Sequence, residues 1–236
     1  ARKDLAPDGT ELQLVGDDYC WILTFYLLRC GFVTEAAEYV SSDPGFRSLD
    51  HKFVTYMTTY AQNRRLPRDL QQKINGEYQQ RLRNAPENTI DPYRMACYKI
   101  IGRCDLSRRR LENVGQGVED WMWLQFALAR EDDRAEEFAG DVFGLEDIQT
   151  DITEIGQRVF GKGQEAPGGY GTFFLLQILG GMFEQAVSYL GSYAPVSAVH
   201  FAIALDYYGL LRVSDFYAAG EDIRECPDDC MFVPLD

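Results

Sequence analysis

The apolar positions of this chain follow helical spacing almost from end to end. Residues 17–30 are apolar nearly all round, the pattern of a helix buried on every side. After Gly31, the residues Val33, Ala36, Ala37 and Val40 stand at i, i+3, i+4 and i+7, one face of an amphipathic helix. Residues 46–62 and 67–83 predict two more helices, the second strongly polar through Gln71, Gln72, Lys73, Glu77 and Arg81. Residues 84–89 predict a loop, and Asp91-Pro92 offers an N-cap followed by proline in the first turn. Behind it Tyr93, Cys97, Ile100 and Cys104 line one face. Residues 117–130, around Trp121, Trp123, Phe126 and Leu128, predict another helix. Strong helix returns at 170–180, 182–192 and 195–208, the last with Val196, Val199, Ile203 and Tyr207 at i, i+3, i+7 and i+11. No run alternates with the two-residue period of a strand. The stretch 131–165 reads as a less regular acidic insertion, and 214–236 as a loop or disordered tail.

One stretch repeats. Gly31-Phe32-Val33-Thr34-Glu35-Ala36-Ala37-Glu38-Tyr39-Val40 aligns with Gly181-Met182-Phe183-Glu184-Gln185-Ala186-Val187-Ser188-Tyr189-Leu190. Each copy follows a nearly all-apolar segment, Trp21 to Leu28 and then Phe173 to Leu179. The unit is a buried helix, a glycine turn and an amphipathic helix, with Ala37 and Ala186 facing a close neighbour. Glycine permits the left-handed backbone that ends the first helix. Ten or eleven helices in 236 residues give roughly 40 residues per pair, the spacing of helix-pair arrays. The predicted fold class is therefore all-α, an irregular α-solenoid of stacked antiparallel helix pairs, with residues 1–236 as one segment.

Composition narrows the function classes. Apolar residues make up 46% and charged residues 25%, enough for a folded core. A net charge of −14 repels phosphate backbones and anionic lipid, so protein partners fit better than nucleic acid or direct membrane insertion. The run Tyr19 to Cys30 is too short to span a bilayer. The cysteines Cys20, Cys30, Cys97, Cys104, Cys226 and Cys230 are scattered, the usage of free thiols in a reducing compartment. The start at Ala1 without Met and the ending Val233-Pro234-Leu235-Asp236 are expected of a piece of a longer protein.

Catalytic chemistry is sparse. His51 and His200 are the two histidines, the first read as solvated and the second as capping or packing in a helix bundle. No phosphate loop, nucleophile elbow, HExxH or dinucleotide fingerprint occurs. Cys226-Pro227-Asp228-Asp229-Cys230 lacks the second thiol pair that a zinc site needs and reads as an incidental loop. Asp132-Asp133-Arg134-Ala135-Glu136 resembles the magnesium-holding box of all-helical isoprenoid synthases, with Glu146, Thr150 and Glu154 spaced as a second box. The two boxes lie within about one helix pair of each other, whereas that chemistry needs them facing across a cavity, so an acidic solvated turn is the better reading. The synthase stays as the enzymatic alternative. Arg64-Arg65 and Arg108-Arg109-Arg110 read as helix-terminal or turn charge, and Trp21, Trp121 and Trp123 as core. No catalytic, cofactor-binding or metal residue is assigned, and the partner-binding residues are left open.

The stretch from Asn88 to Asp105, Asn88-Thr89-Ile90-Asp91-Pro92-Tyr93-Arg94-Met95-Ala96-Cys97-Tyr98-Lys99-Ile100-Ile101-Gly102-Arg103-Cys104-Asp105, resembles the central motif of the nucleoporin-interacting component family. The blocks Val118 to Phe126, Phe183 to Leu190 and Ala198 to Leu205 follow in the family's order, and the likeness runs from about Leu66 to Leu211. That family supplies a large inner-ring scaffold of the nuclear pore. The resemblance implies a non-enzymatic, elongated solenoid at the nuclear envelope that organises other nucleoporins and so supports protein and mRNA transport. It implies as partners the large inner-ring scaffold nucleoporins and short segments of linker nucleoporins, including the linker that carries an RRM-like domain. The acidic surface would favour basic, amphipathic segments among them. It makes Gly102, Arg103, Cys104 and Asp105 turn and packing residues, and it requires no cofactor.

Overall fold

The computed structural model describes residue 10 and residues 12–84, 90–115, 117–131, 142–160 and 170–212. Among these the chain is helical, and its sole extended pairing is an isolated bridge between Val15 and Asp18. The helices are α1 (Cys20–Arg29), α2 (Val33–Ser42), α3 (Pro44–Leu49), α4 (His51–Asn63), α5 (Arg68–Asn84), α6 (Pro92–Gly102), α7 (Val118–Leu128), α8 (Leu145–Ile155), α9 (Tyr170–Leu179), α10 (Phe183–Tyr193) and α11 (Pro195–Tyr207). A π-helical turn, Gly156–Phe160, continues α8. The chain divides into two compact units, Ala1–Phe143 and Gly144–Asp236.

The repeated stretch forms the same turn twice. Gly31 and Gly181 both take left-handed backbone, with φ of 85° and 72°. In the first copy Phe32 N–H donates to Leu27 O and Gly31 N–H to Leu28 O. In the second Met182 N–H donates to Gln177 O and Gly181 N–H to Ile178 O. This paired pattern satisfies carbonyls that the helix end would otherwise orphan. The second helix of each hairpin then buries one alanine completely, Ala36 and Ala186. Ala37 is the slightly less buried neighbour, and its counterpart is Val187, so the alanine equivalent to Ala186 is Ala36.

In the first unit α1 packs on α2 and α6, α2 on α3 and α4, and α5 on α6. The core centres on Trp21, fully buried, with Phe53 at 4.7 Å, Phe46 at 4.9 Å and Tyr98 at 6.3 Å between ring centroids. Tilted and edge-on rings satisfy the aromatic quadrupoles while burying large area. The segment before α1 straps across this core: Trp21 Nε1–H donates to Gln13 Oε1 at 2.6 Å, and Gln13 N–H donates to Asp91 Oδ2 at 2.9 Å. The expected helix over 46–62 is interrupted at Asp50, whose extended backbone (φ −151°) separates α3 from α4. Its side chain caps α4 by accepting from Phe53 N–H, a local bond that competes with a continuous helix. Asp91 caps α6 as expected, accepting from Tyr93 and Arg94 N–H with Pro92 in the first turn.

In the second unit α9, α10 and α11 form a three-helix layer, and α8 with its π turn packs on α9. Gly156 lets Phe173 approach so closely that an added methyl would lie 2.2 Å from the ring. The tail 214–236 lies outside the described residues, as do 132–141 and 161–165 of the acidic insertion 131–165. Its described part holds α8.

Candidate protein-contact surface

Among the described helices α11 exposes the most large apolar side chains. Pro195 begins the helix, where its missing N–H is no loss. Ala198 and Leu205 are buried with Val187 and Leu190 of α10, and Ala202 packs against that cluster. Small residues at i and i+4 bring α11 close to α10, and the opposite side has no neighbour among the described residues. That side carries Val196, Val199, Ile203 and Tyr207, exposed by 72%, 41%, 62% and 82%. The stripe extends about 16 Å along the helix at 1.5 Å per residue. Tyr208 and Leu210, exposed past its end, enlarge it. Here Gly209 (φ 66°) repeats the paired turn, with Leu210 N–H donating to Leu205 O and Gly209 N–H to Asp206 O. Isolated exposed apolar residues are ordinary, but a contiguous stripe marks a contact surface. The signal was present in the sequence: α11 has two apolar stripes, and among the described residues α10, with Phe174 of α9, covers one.

The polar candidates are scattered. His51 is exposed at the start of α4. His200, expected in packing or capping, is exposed on α11. Glu146, Thr150 and Glu154 share the solvent face of α8, opposite the buried Ile148 and Ile152, and Thr150 Oγ–H donates to Glu146 O. Asp132 to Glu136 and Cys226 to Cys230 lie outside the described residues. Among the described residues no three His, Cys, Asp or Glu side chains converge as a metal site, and no helix is long and apolar enough to cross a membrane. Trp21 is core, whereas Trp121 and Trp123 are only half-buried. Trp123 packs edge-on to Phe25 and lies under the Arg29 guanidinium at 4.8 Å, which Asp120 holds at 3.1 Å.

The segment Gly102 to Asp105 is a packed turn. Arg103 and Asp105 take left-handed backbone (φ 49° and 56°), and Arg103 is buried with Nε–H donating to Leu128 O at 2.7 Å. A methyl on Gly102 would meet Ile74 Cγ2 at 2.6 Å and Cys104 Sγ at 2.8 Å. Arg64 occupies the left-handed cap of α4. Of the described cysteines, Cys20, Cys97 and Cys104 are buried and Cys30, at the C-cap of α1, is exposed. Burial, helped by the Asp91 carboxylate, pushes the Cys20 thiol up to about 11, and burial also raises Cys97 and Cys104. Such thiols are inert packing groups.

Comparison with known proteins agrees across nearly all of the chain. The Nup93/Nic96 family matches residues 1–228. The chain is 55% identical over 228 residues to "Nucleoporin NIC96" of Chaetomium thermophilum, covering 94% of this chain and 20% of that protein. It is 30% identical over 197 residues to "Nuclear pore complex protein Nup93" of Xenopus laevis, covering 82% and 23%. The crystal structure of Chaetomium thermophilum Nic96 SOL superimposes with a TM-score of 0.87 at 55% identity, covering 94% of this chain and 32% of that one. The chain thus spans about a fifth to a quarter of the length of these curated relatives. The likeness establishes the fold class as an all-α array of antiparallel helix pairs.

Proposed function

Because the chain belongs to the Nup93/Nic96 family, we propose that it is a non-enzymatic, structural segment of a nuclear pore protein that holds other nucleoporins in place. One observation carries this reading: the family match runs through both units, from residue 1 to 228, and so includes α11 with its open stripe. The chemistry fits a scaffold. The buried Asp50, Asp91, Lys99 and Arg103 are each bonded into the packing of the first unit. The synthase alternative gains no support, since Glu146 and Glu154 point from one helix face into solvent. The segment acts at the nuclear envelope, where it contributes to the framework that transport of protein and mRNA depends on.

Its partners in this reading are other nucleoporins, both large inner-ring scaffolds and short linker segments. The α11 stripe takes an amphipathic helical segment of such a partner, whose i, i+3, i+4, i+7 face lies along it. The net charge of −14 favours segments flanked by Lys or Arg and speeds their encounter at low salt.

The test is localisation of the full-length polypeptide, fluorescently tagged, in cells. A rim at the nuclear envelope that recovers slowly after bleaching is the expected result. A diffuse signal, or a rim that exchanges within seconds, overturns the scaffold reading.

A further inference from the structure

A second surface, in the first unit, has different chemistry. Between the C-terminal half of α5, the start of α6 and the loop 105–113 lies a cleft of about 570 Å³. That volume is within the range of sites that hold a ligand or an anchoring side chain, roughly 300–1,000 Å³. Leu82, Ile90, Met95 and Leu111 give it an apolar side, and none of the four is fully buried. Arg108 and Arg110 also line it, both exposed.

The fold sets this arrangement through Lys99. Its ammonium group is buried at the cleft floor and donates to the backbone oxygens of Arg108 and Asp105, which pins the loop against α6. Arg110 N–H donates to Arg108 O at 2.9 Å, tightening the bend. Arg109 takes the other direction and lies over the Phe143 ring at 4.3 Å. The three consecutive arginines therefore split, with the first and third lining the cleft. Two carboxylates also line it. Asp105 is engaged, 4.0 Å from Lys99 Nζ and accepting from Ser107 Oγ–H at 2.7 Å, while Glu112 is exposed.

We propose that this cleft docks a short segment of a partner protein that presents apolar side chains flanked by Asp or Glu. Charge complementarity selects that occupant. The chain as a whole carries −14 and favours basic partners, so a pair of exposed guanidinium groups beside an apolar wall is a local reversal of sign. At about 0.15 M salt the Debye length is about 8 Å, so groups at the cleft decide the interaction and the distant acidic surface does not. Guanidinium forks also match carboxylates bidentately. The inference goes beyond the nuclear pore reading and stands apart from it, since it concerns the first unit and its failure leaves the localisation result unchanged.

The experiment measures fluorescence anisotropy at about 0.15 M salt with the purified chain and two designed helical peptides. Both carry Leu at i, i+3, i+4 and i+7, one with Glu at the remaining positions and the other with Lys. The protein is wild type, R108E/R110E, or Met95→Ser. Both arginine side chains are exposed and the Lys99 bonds use backbone oxygens, so the charge reversal leaves the fold intact, which an unchanged melting midpoint verifies. Binding to the acidic surface elsewhere is the same in all three proteins and cancels in the comparison. The Glu peptide is expected to bind wild type at micromolar affinity and to lose about fivefold to tenfold in R108E/R110E. The Lys peptide gains in the same variant, and Met95→Ser weakens the Glu peptide. No binding of the Glu peptide, or equal binding of it to wild type and R108E/R110E, overturns the proposal.

Discussion

Asp50 does two jobs with one carboxylate. Oδ1 caps α4 by accepting from Phe53 N–H at 3.1 Å. Oδ2 accepts from the Tyr98 hydroxyl at 2.7 Å and from Arg94 at 2.6 Å, with Arg81 at 3.5 Å, and so ties α4, α5 and α6 together. The Tyr98 phenol is held well above its usual range by burial and by this carboxylate. Breaking a buried charge pair from one side costs about 3–5 kcal/mol, because the partner is left uncompensated. Arg94 and Arg81 keep some contact with solvent, so Asp50→Asn should cost about 2–3 kcal/mol while preserving the cap. Asp50→Ala should lose about 1 kcal/mol more with the cap itself. Urea denaturation checks both, and a loss under about 1 kcal/mol for Asp50→Asn would contradict the hub. Little of this was visible in the sequence. Asp50 fell within the helix expected over 46–62 and its neighbour His51 read as solvated, because a helical pattern says which residues face inward and not which charges meet there.

Helices and their turns were far more legible. The echo between Gly31 and Gly181 located both hairpins, since a glycine after an apolar helix answers a geometric need that few residues meet. An added methyl has nothing within 4 Å at either glycine, so substitution there isolates the backbone cost. Gly31→Ala and Gly181→Ala should each destabilise by about 1–2 kcal/mol, the penalty of an L-residue in left-handed backbone. Gly102→Ala, with φ in the ordinary range, should also destabilise, but through the clash with Ile74 and Cys104, by about 1–3 kcal/mol. Combining Gly102→Ala with Ile74→Ala, which removes the Cγ2 that the methyl meets, should therefore cost less than the sum of the two single changes, while the same Ile74→Ala change gives no such relief to Gly31→Ala. Thermal melts of the single and double variants check this. The break between α3 and α4 was not legible because the apolar spacing runs on across Asp50. A side-chain cap overrides that spacing, and the sequence does not show which of several aspartates will form one.

The molecule as a whole spends its apolar residues unevenly. Its first unit closes around Trp21, whereas α11 leaves Val196, Ile203 and Tyr207 in solvent. Because Ile203 and Tyr207 are largely exposed and, among the described rings, Tyr207 touches only that of the neighbouring Tyr208, Ile203→Asp with Tyr207→Asp should shift stability by no more than about 0.5 kcal/mol per site. The same pair should abolish capture of a partner segment on the stripe, read by calorimetry with the intact polypeptide. A large loss of stability would mean that the stripe is packed after all. The stripe's spacing was in the sequence, but its exposure was not, since apolar periodicity is the same for a face that meets its own chain and one that meets another. The strapped core of the first unit also has a consequence in time. Cys97 Sγ lies against the carbonyl oxygen of Trp21, 76 positions earlier in the chain, and α6 supplies the wall that α1 needs. A ribosome adds about 5–20 residues per second, so Trp21, Phe25 and Leu28 wait roughly 4–15 s for that wall to be synthesised. During those seconds the nascent α1–α2 hairpin offers an uncovered aromatic surface, and holding chaperones have their window there.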